Sequence, residues 1–317
     1  MIALLPFLAA ATLAAGMPDT GTPHAGMPDA SRARLDSLAD ATAERIARYA
    51  DRRAAIAAGY RRIGTDFPGM GEHWLHVGSL LAQRLDPDRP TMLAYATIDG
   101  RPTLLGAGYV VTTQGDTAAT VPGWPTYWHE HSGLLGDESG VRGVTAGVTA
   151  GVTTGAPGAA RGASETHVWV LHIWTALPNP SGRYEADNWT LPFARAGLVA
   201  PSDVDADIGR AFSLSVAGGD EYLRRVLTDA GLRGASHVDA IDAAIAAARE
   251  TAAGIAERAR PAGVVSVDDA VALRAAWATL ARRLRETSGP AVEPILAPPH
   301  APHVHDAVTA VPRDPPS

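Results

Sequence analysis

Apolar side chains recur every three or four positions between residues 31 and 60, as they do along one face of an amphipathic helix. Gly59 lies near the end of this stripe, where a glycine commonly stops a helix. Residues 64–71 then group three glycines and a proline, which predicts a tightly turning loop. The first part of the chain is therefore predicted to form one long helix followed by a loop.

Three later segments have the composition of β-strands. Residues 91–98 and 103–111 are rich in apolar, β-branched and aromatic side chains, and Asp99-Gly100 between them is a strong hairpin signal. Residues 167–177, rich in valine, isoleucine and tryptophan, predict a third strand. Together these segments predict a small antiparallel sheet.

The C-terminal part has a different pattern. Residues 203–287 are alanine-rich, charged and helical in period, with breaks at 218–219, 231–234 and 261–263. The predicted fold class is therefore α+β: a small antiparallel sheet with an N-terminal amphipathic helix and an alanine-rich C-terminal helical region.

The N-terminal residues are typical of an export signal. The apolar run 2–15 and the small residues that follow it predict a signal peptide over 1–16, which is too short to span a bilayer. An apolar N-terminal tail is the alternative, because no arginine or lysine precedes the run. We expect a periplasmic or secreted protein with no integral membrane span after processing.

Three further segments lack the pattern of a packed core. Residues 17–30 repeat Gly-Met-Pro-Asp and predict a linker, and residues 140–163 repeat Gly-Val-Thr-Ala and predict a disordered insertion. Residues 288–317 are rich in proline and predict a disordered tail. Its histidines, His300, His303 and His305, could bind a transition metal weakly, but a tail in which they are incidental is favoured.

Composition removes several classes of function. A net charge of −7 argues against a protein that binds nucleic acid by bulk attraction to phosphate. The absence of cysteine excludes disulfides, thiolate metal sites and cysteine nucleophiles. Residues 60–198, within a predicted α+β domain of residues 31–198, hold six of the eleven histidines and six of the seven tryptophans. Candidate chemistry is therefore concentrated in this centre.

His129 and His131 give the clearest metal-binding pattern. Residues two apart on an extended strand share a face, so both imidazoles can reach one ion, while Glu130 points away. Imidazole is a good ligand for zinc, copper, iron or nickel. The sequence therefore predicts one transition-metal ion of unknown identity.

Two more histidine pairs lie in the centre. His73 and His76 share a face only on a helix, which the neighbouring glycines make doubtful, and on a loop only one of them need be a ligand. The odd spacing of His167 and His172 puts them on opposite strand faces, which favours His172. The candidate ligands are His73, His76, His129, His131, His167 and His172. Each of these taken alone is more typical of a packed or surface histidine.

Glu72 is the candidate catalytic base beside these histidines, with Glu130 as the alternative. Known metalloprotein motifs do not decide the matter, since the spacing fits neither the cupins nor the His-Glu-x-x-His proteases.

Three motifs resemble those of a family of uncharacterised bacterial exported proteins. They are Gly-Met-Gly-Glu-His-Trp, Trp-His-Glu-His-Ser-Gly, and Leu-His-Ile-Trp followed by Pro-Asn-Pro and Asp-Asn-Trp. The resemblance covers residues 60–198 and implies export but no activity.

Three functions remain open from the sequence. The slightly favoured one is non-catalytic binding: metal sequestration, or a small molecule held among Trp74, Trp128, Trp169 and Trp174. A metal-dependent hydrolase or oxidoreductase is the alternative. A structural or interaction protein, in which the histidines only pack, is the third.

Overall fold

The computed structural model describes residues 29–83, 85–114, 124–125, 127–130, 166–234 and 237–296. The expected signal peptide and the expected insertion over 140–163 lie outside these residues. The expected linker and the expected tail each extend into the described residues, and for those residues the prediction of an unstructured segment is wrong. The last two residues of the expected linker begin a helix, and the expected tail is helical up to Leu296.

A six-stranded antiparallel sheet forms the centre of the protein, in the order β1-β2-β3-β4-β6-β5. The strands are β1 Tyr60–Phe67, β2 Gly71–His76, β3 Met92–Ile98, β4 Arg101–Gln114, β5 His129–Glu130 and β6 Thr166–Trp174. Helices precede and follow the sheet, so the predicted α+β class is confirmed.

The long helix predicted over residues 31–60 is interrupted. Helix α1 Asp29–Ile46 continues as a 3₁₀ turn, and a separate helix α2 Arg52–Ala57 begins after Asp51. The Asp51 carboxylate accepts a hydrogen bond from the backbone N–H of Arg53, 2.9 Å away, which is the usual way to start a new helix.

The tight loop predicted over residues 64–71 is mostly strand. Strands β1 and β2 form a hairpin, and only residues 68–70 turn. Gly71 has a φ of +80°, and a Cβ atom there would lie 2.3 Å from the Tyr95 carbonyl oxygen. Glycine is therefore required where the chain enters β2.

One face of the sheet packs against α1 and the turn that follows it. We call it the α1 face; its buried residues include Trp74, Leu93, Tyr95, Leu171 and Ile173. The Tyr95 hydroxyl donates to the carbonyl of Tyr49 at 2.5 Å, and the Tyr184 hydroxyl donates to that of Leu35 at 2.5 Å. Tyrosine hydroxyl groups from β3 and from the loop after β6 thus hold α1 and the turn that follows it in place.

The opposite face carries alternate residues of the same strands. We call it the histidine face; it presents His73 from β2, Met92 from β3, His129 from β5, and His172 and Trp174 from β6. Two short helices, α3 Val77–Leu81 and α4 Leu191–Arg195, place Leu80 and Leu191 in its apolar clusters.

Four of the five C-terminal helices begin within residues 203–287, where the alanine-rich pattern predicts them, and the fifth lies in the expected tail. They are α5 Ala206–Ser213, α6 Gly219–Asp229, α7 Val238–Ala259, α8 Val267–Ser288 and α9 Glu293–Leu296. Their shared core contains Phe212, Ile245, Leu273 and Trp277. Tyr222 of α6 contacts Phe67 of β1, with ring centroids 5.7 Å apart. Over the described ranges, none of the helices combines the length and apolar character that crossing a membrane requires.

Candidate metal-binding site

His73 and His172 lie close together on the histidine face, although two strands, β3 and β4, separate β2 from β6. Their ring centroids are 5.8 Å apart, and both residues are almost completely buried, with exposed fractions of 1% and 2%. The strand pairing puts His73 in the same cross-strand row as Trp174 of β6. His172 is two positions from Trp174 on that strand, so both histidines project to the histidine face.

His129 joins this pair from the sheet edge. It lies directly opposite Val170 in the pairing of β5 with β6, so it shares the face of Val170 and His172. The ring centroids of His129 and His172 are 5.2 Å apart. His172 is therefore the central member of a row of three imidazoles that come from three different strands.

These separations can be compared with those of imidazoles that share an ion. A metal ion about 2.0–2.1 Å from a ring nitrogen lies about 3.2 Å from the ring centre, so two ligands at a tetrahedral angle have ring centres about 5.2 Å apart. The pair His129–His172 has this separation, and the pair His73–His172 is 0.6 Å wider (5.8 against 5.2 Å).

Burial also sets the protonation state of His73. It lowers the pKa of this imidazole to about 4. Burial removes the hydration of an imidazolium ion and so disfavours the charged form. His73 is therefore neutral at physiological pH, which is the form that binds metals.

The described residues do not by themselves form a complete metal centre. Within them, no three histidine, aspartate or glutamate side chains are arranged to hold one ion together. His131 lies outside the described residues, as do the side chains of His167 and Glu130.

His76 is not part of the row of imidazoles. It lies three positions after His73 on a strand, so it projects to the α1 face. Its Nδ1 accepts a hydrogen bond from the backbone N–H of Ser79, 3.0 Å away, and lies 2.8 Å from the Ser79 hydroxyl. His76 thus caps the start of α3.

Glu72, the candidate catalytic base, also projects away from the histidines. Its carboxylate forms ion pairs with Arg52 at 2.9 Å and with Arg62 at 3.5 Å. It also accepts a hydrogen bond from the indole N–H of Trp74, 3.2 Å away. This buried carboxylate ties α2 to the sheet on the side opposite His73.

Most of the tryptophans expected around the site lie elsewhere. Trp74, Trp128 and Trp169 belong to the hydrophobic core of the α1 face. Trp174 lies on the histidine face, with its ring centroid 5.9 Å from that of His172. Phe67, which was not among the residues expected at the site, also contacts His73, with ring centroids 5.0 Å apart.

Comparison of the chain with protein-family models, with curated proteins and with solved structures finds no match. The resemblance to exported bacterial proteins stays a prediction.

The two asparagines of the chain have structural roles near the site. The Asn188 backbone N–H donates to the Gly69 carbonyl at 2.8 Å, and its side-chain oxygen accepts from Thr190. The Asn179 side chain donates to the carbonyl of Asp187 at 2.7 Å. Asn188 therefore joins the loop between β6 and α4 to the turn that precedes β2, and Asn179 closes that loop on itself.

A second buried group, Asp187 with Arg210, was not predicted from the sequence. Burial raises the pKa of Asp187 to about 7; Arg210 opposes this shift, and Glu185 adds to it. The Arg210 guanidinium lies over Trp189 and Trp277, 5.5 and 5.7 Å from their ring centroids. The only sequence signal for this group was the motif Asp-Asn-Trp over residues 187–189, which carries no obvious chemistry.

Proposed function

We propose that the protein is an exported, non-catalytic binder of one transition-metal ion. The ligands are His172 and its neighbours His73 and His129, with His131 completing the set. Three imidazoles from three strands meeting on one face of a sheet carry this proposal. Imidazoles at this spacing suit zinc, copper, iron and nickel.

The placement of Glu72 supports binding over catalysis. A metal-dependent hydrolase needs a base within hydrogen-bond reach of the metal-bound water. Glu72 serves Arg52 and Trp74 on the other face instead. Sequestration or transfer of the ion therefore fits the described residues better than hydrolysis does.

The test is metal content after reconstitution of the untagged mature chain. We expect close to one equivalent of zinc or copper by elemental analysis, and loss of most of it in His172→Phe and His131→Ala. Phenylalanine keeps the volume of the buried ring, so the fold should survive in the first variant.

The matched control is His237→Phe, which changes an exposed histidine outside the site and should retain the metal. Metal content that is unchanged in both site variants would contradict the proposal, and packing would then be the role of the histidines. Mass spectrometry of the protein from its native host tests the export: an intact Met1 in soluble cytosolic protein would contradict it.

A further inference from the structure

Met92 lies on the histidine face, in the strand between those that carry His73 and Gly108. It is fully buried in β3 and shares a cross-strand row with Gly108 and His172. A Cβ atom on Gly108 would lie 2.5 Å from the Met92 methyl group, so the thioether side chain extends over β4 toward His172. Glycine at this position leaves room for that extension.

His73 approaches the same place from the other side. It pairs with Ala94, two positions from Met92 on the same face of β3. The imidazoles of His73 and His172 come within 5.8 Å of each other above β3 and β4, the strands that Met92 covers. Met92 and the two imidazoles thus occupy neighbouring rows on the same face of the sheet.

The donors grouped here are electrically neutral. Imidazole and thioether carry no charge, and Glu72, the carboxylate next in sequence to His73, is on the other face. The energy needed to remove an ion from water rises with the square of its charge, so a buried set of neutral donors favours a monovalent ion over a divalent one. Thioether sulfur is a soft ligand that selects copper(I).

We propose that the ion is copper in its +1 state, held by the imidazoles of His172 and His73 with the Met92 sulfur as a further ligand, which takes the place of one of the other two histidines of the proposed set. This inference rests on the proposed metal-binding function and adds the identity and oxidation state of the ion. Met92 then has a ligand role in addition to its place in an apolar cluster.

The test compares copper(I) with zinc(II) under anaerobic conditions, using competition with a chromophoric chelator for each ion. Wild-type protein should bind copper(I) more tightly than zinc(II), and its copper X-ray absorption spectrum should contain a sulfur scatterer. Met92→Leu should weaken copper(I) binding by about tenfold or more and change zinc(II) binding by less than about threefold. Leucine is close to methionine in volume, so this variant should keep the fold.

Met70→Leu is the matched control, since Met70 is also buried but precedes β2 in the turn. It should retain both the affinity for copper(I) and the sulfur signal. A wild-type copper spectrum with nitrogen scatterers only, or zinc bound more tightly than copper(I), overturns the inference and leaves the proposed metal binding intact. Failure to bind either ion overturns both. The wild-type spectrum decides the question even if Met92→Leu does not fold.

Discussion

Glu72 and His73 are neighbours in sequence and project to opposite faces of the sheet. Glu72 pairs with Arg52 on the α1 face, at 2.9 Å, while His73 approaches His172 on the other. Strand alternation alone produces this division. Adjacent residues of one motif therefore have separate roles, which mutations can distinguish.

Glu72→Gln should reduce stability and leave metal binding unchanged. The substitution removes the charge that two arginines share and should lower the free energy of unfolding by roughly 1–3 kcal/mol, as measured in urea. Glu44→Gln, an exposed change on α1, is the control and should have little effect. If Glu72→Gln lost its metal but kept the stability of wild type, Glu72 would instead have a role in the metal site.

His76→Ala should separate the capping histidine from the row of imidazoles. Loss of the bond to the Ser79 N–H should cost about 1 kcal/mol of stability, the usual effect of removing a helix N-cap. Metal content should equal that of wild type, in contrast to His172→Phe. A variant that folds but binds no metal would show that His76 is a ligand.

His73 should make the metal-free protein sensitive to acid. Burial lowers the pKa of His73 from 6.5 to about 4, so the folded chain binds fewer protons than the unfolded chain between these values. Stability is therefore lost as pH falls from about 6.5 to 4, by on the order of 3 kcal/mol for this group.

The corresponding experiment is urea unfolding of chelator-treated protein at steps between pH 4 and 7. His73→Phe should flatten the curve in this window relative to wild type, and His237→Phe should not. Parallel curves for wild type and His73→Phe would mean that His73 titrates normally in the folded protein.

Asp187 should have the opposite effect on the pH dependence of stability. Burial raises its pKa from 3.8 to about 7, so the folded chain holds a proton that the unfolded chain has released. Stability from this group is present at low pH and is lost as pH rises through about 7. Asp187→Asn imitates the protonated acid, so its stability relative to wild type should increase between pH 4 and 8. A constant difference would show that Arg210 keeps the carboxylate charged.

Strands β3, β4 and β6 were predictable because their apolar, β-branched and aromatic residues are also the residues that the sheet buries. The turn at Asp99-Gly100 has positive φ values at both residues, 50° and 71°, as the hairpin signal requires. Strand β1 was missed because the glycines and proline of residues 64–71 indicated a loop, and because its buried residues Tyr60, Ile63 and Phe67 are spaced by three and four instead of two. A shift in register between Ile63 and Asp66 causes this spacing.

The same error limited the prediction of the site. Alternation correctly placed His172 on the same face as Val170 and Trp174, because a strand was expected there. For His73 and His76 no strand was expected, so their separation onto two faces was not foreseen. Contacts such as that between His73 and His172 depend on strand order, which the pattern of single segments does not contain.

The surroundings of Arg210 have a consequence for where the folded unit ends. Its guanidinium donates to the carbonyl oxygen of Leu296 at 2.7 Å, in addition to lying over two indole rings. A chain cut after α8 would lack this acceptor and leave a buried cation with one fewer partner. The C-terminal limit of the folded unit therefore lies at or beyond Leu296, later than the end of the alanine-rich helices suggests.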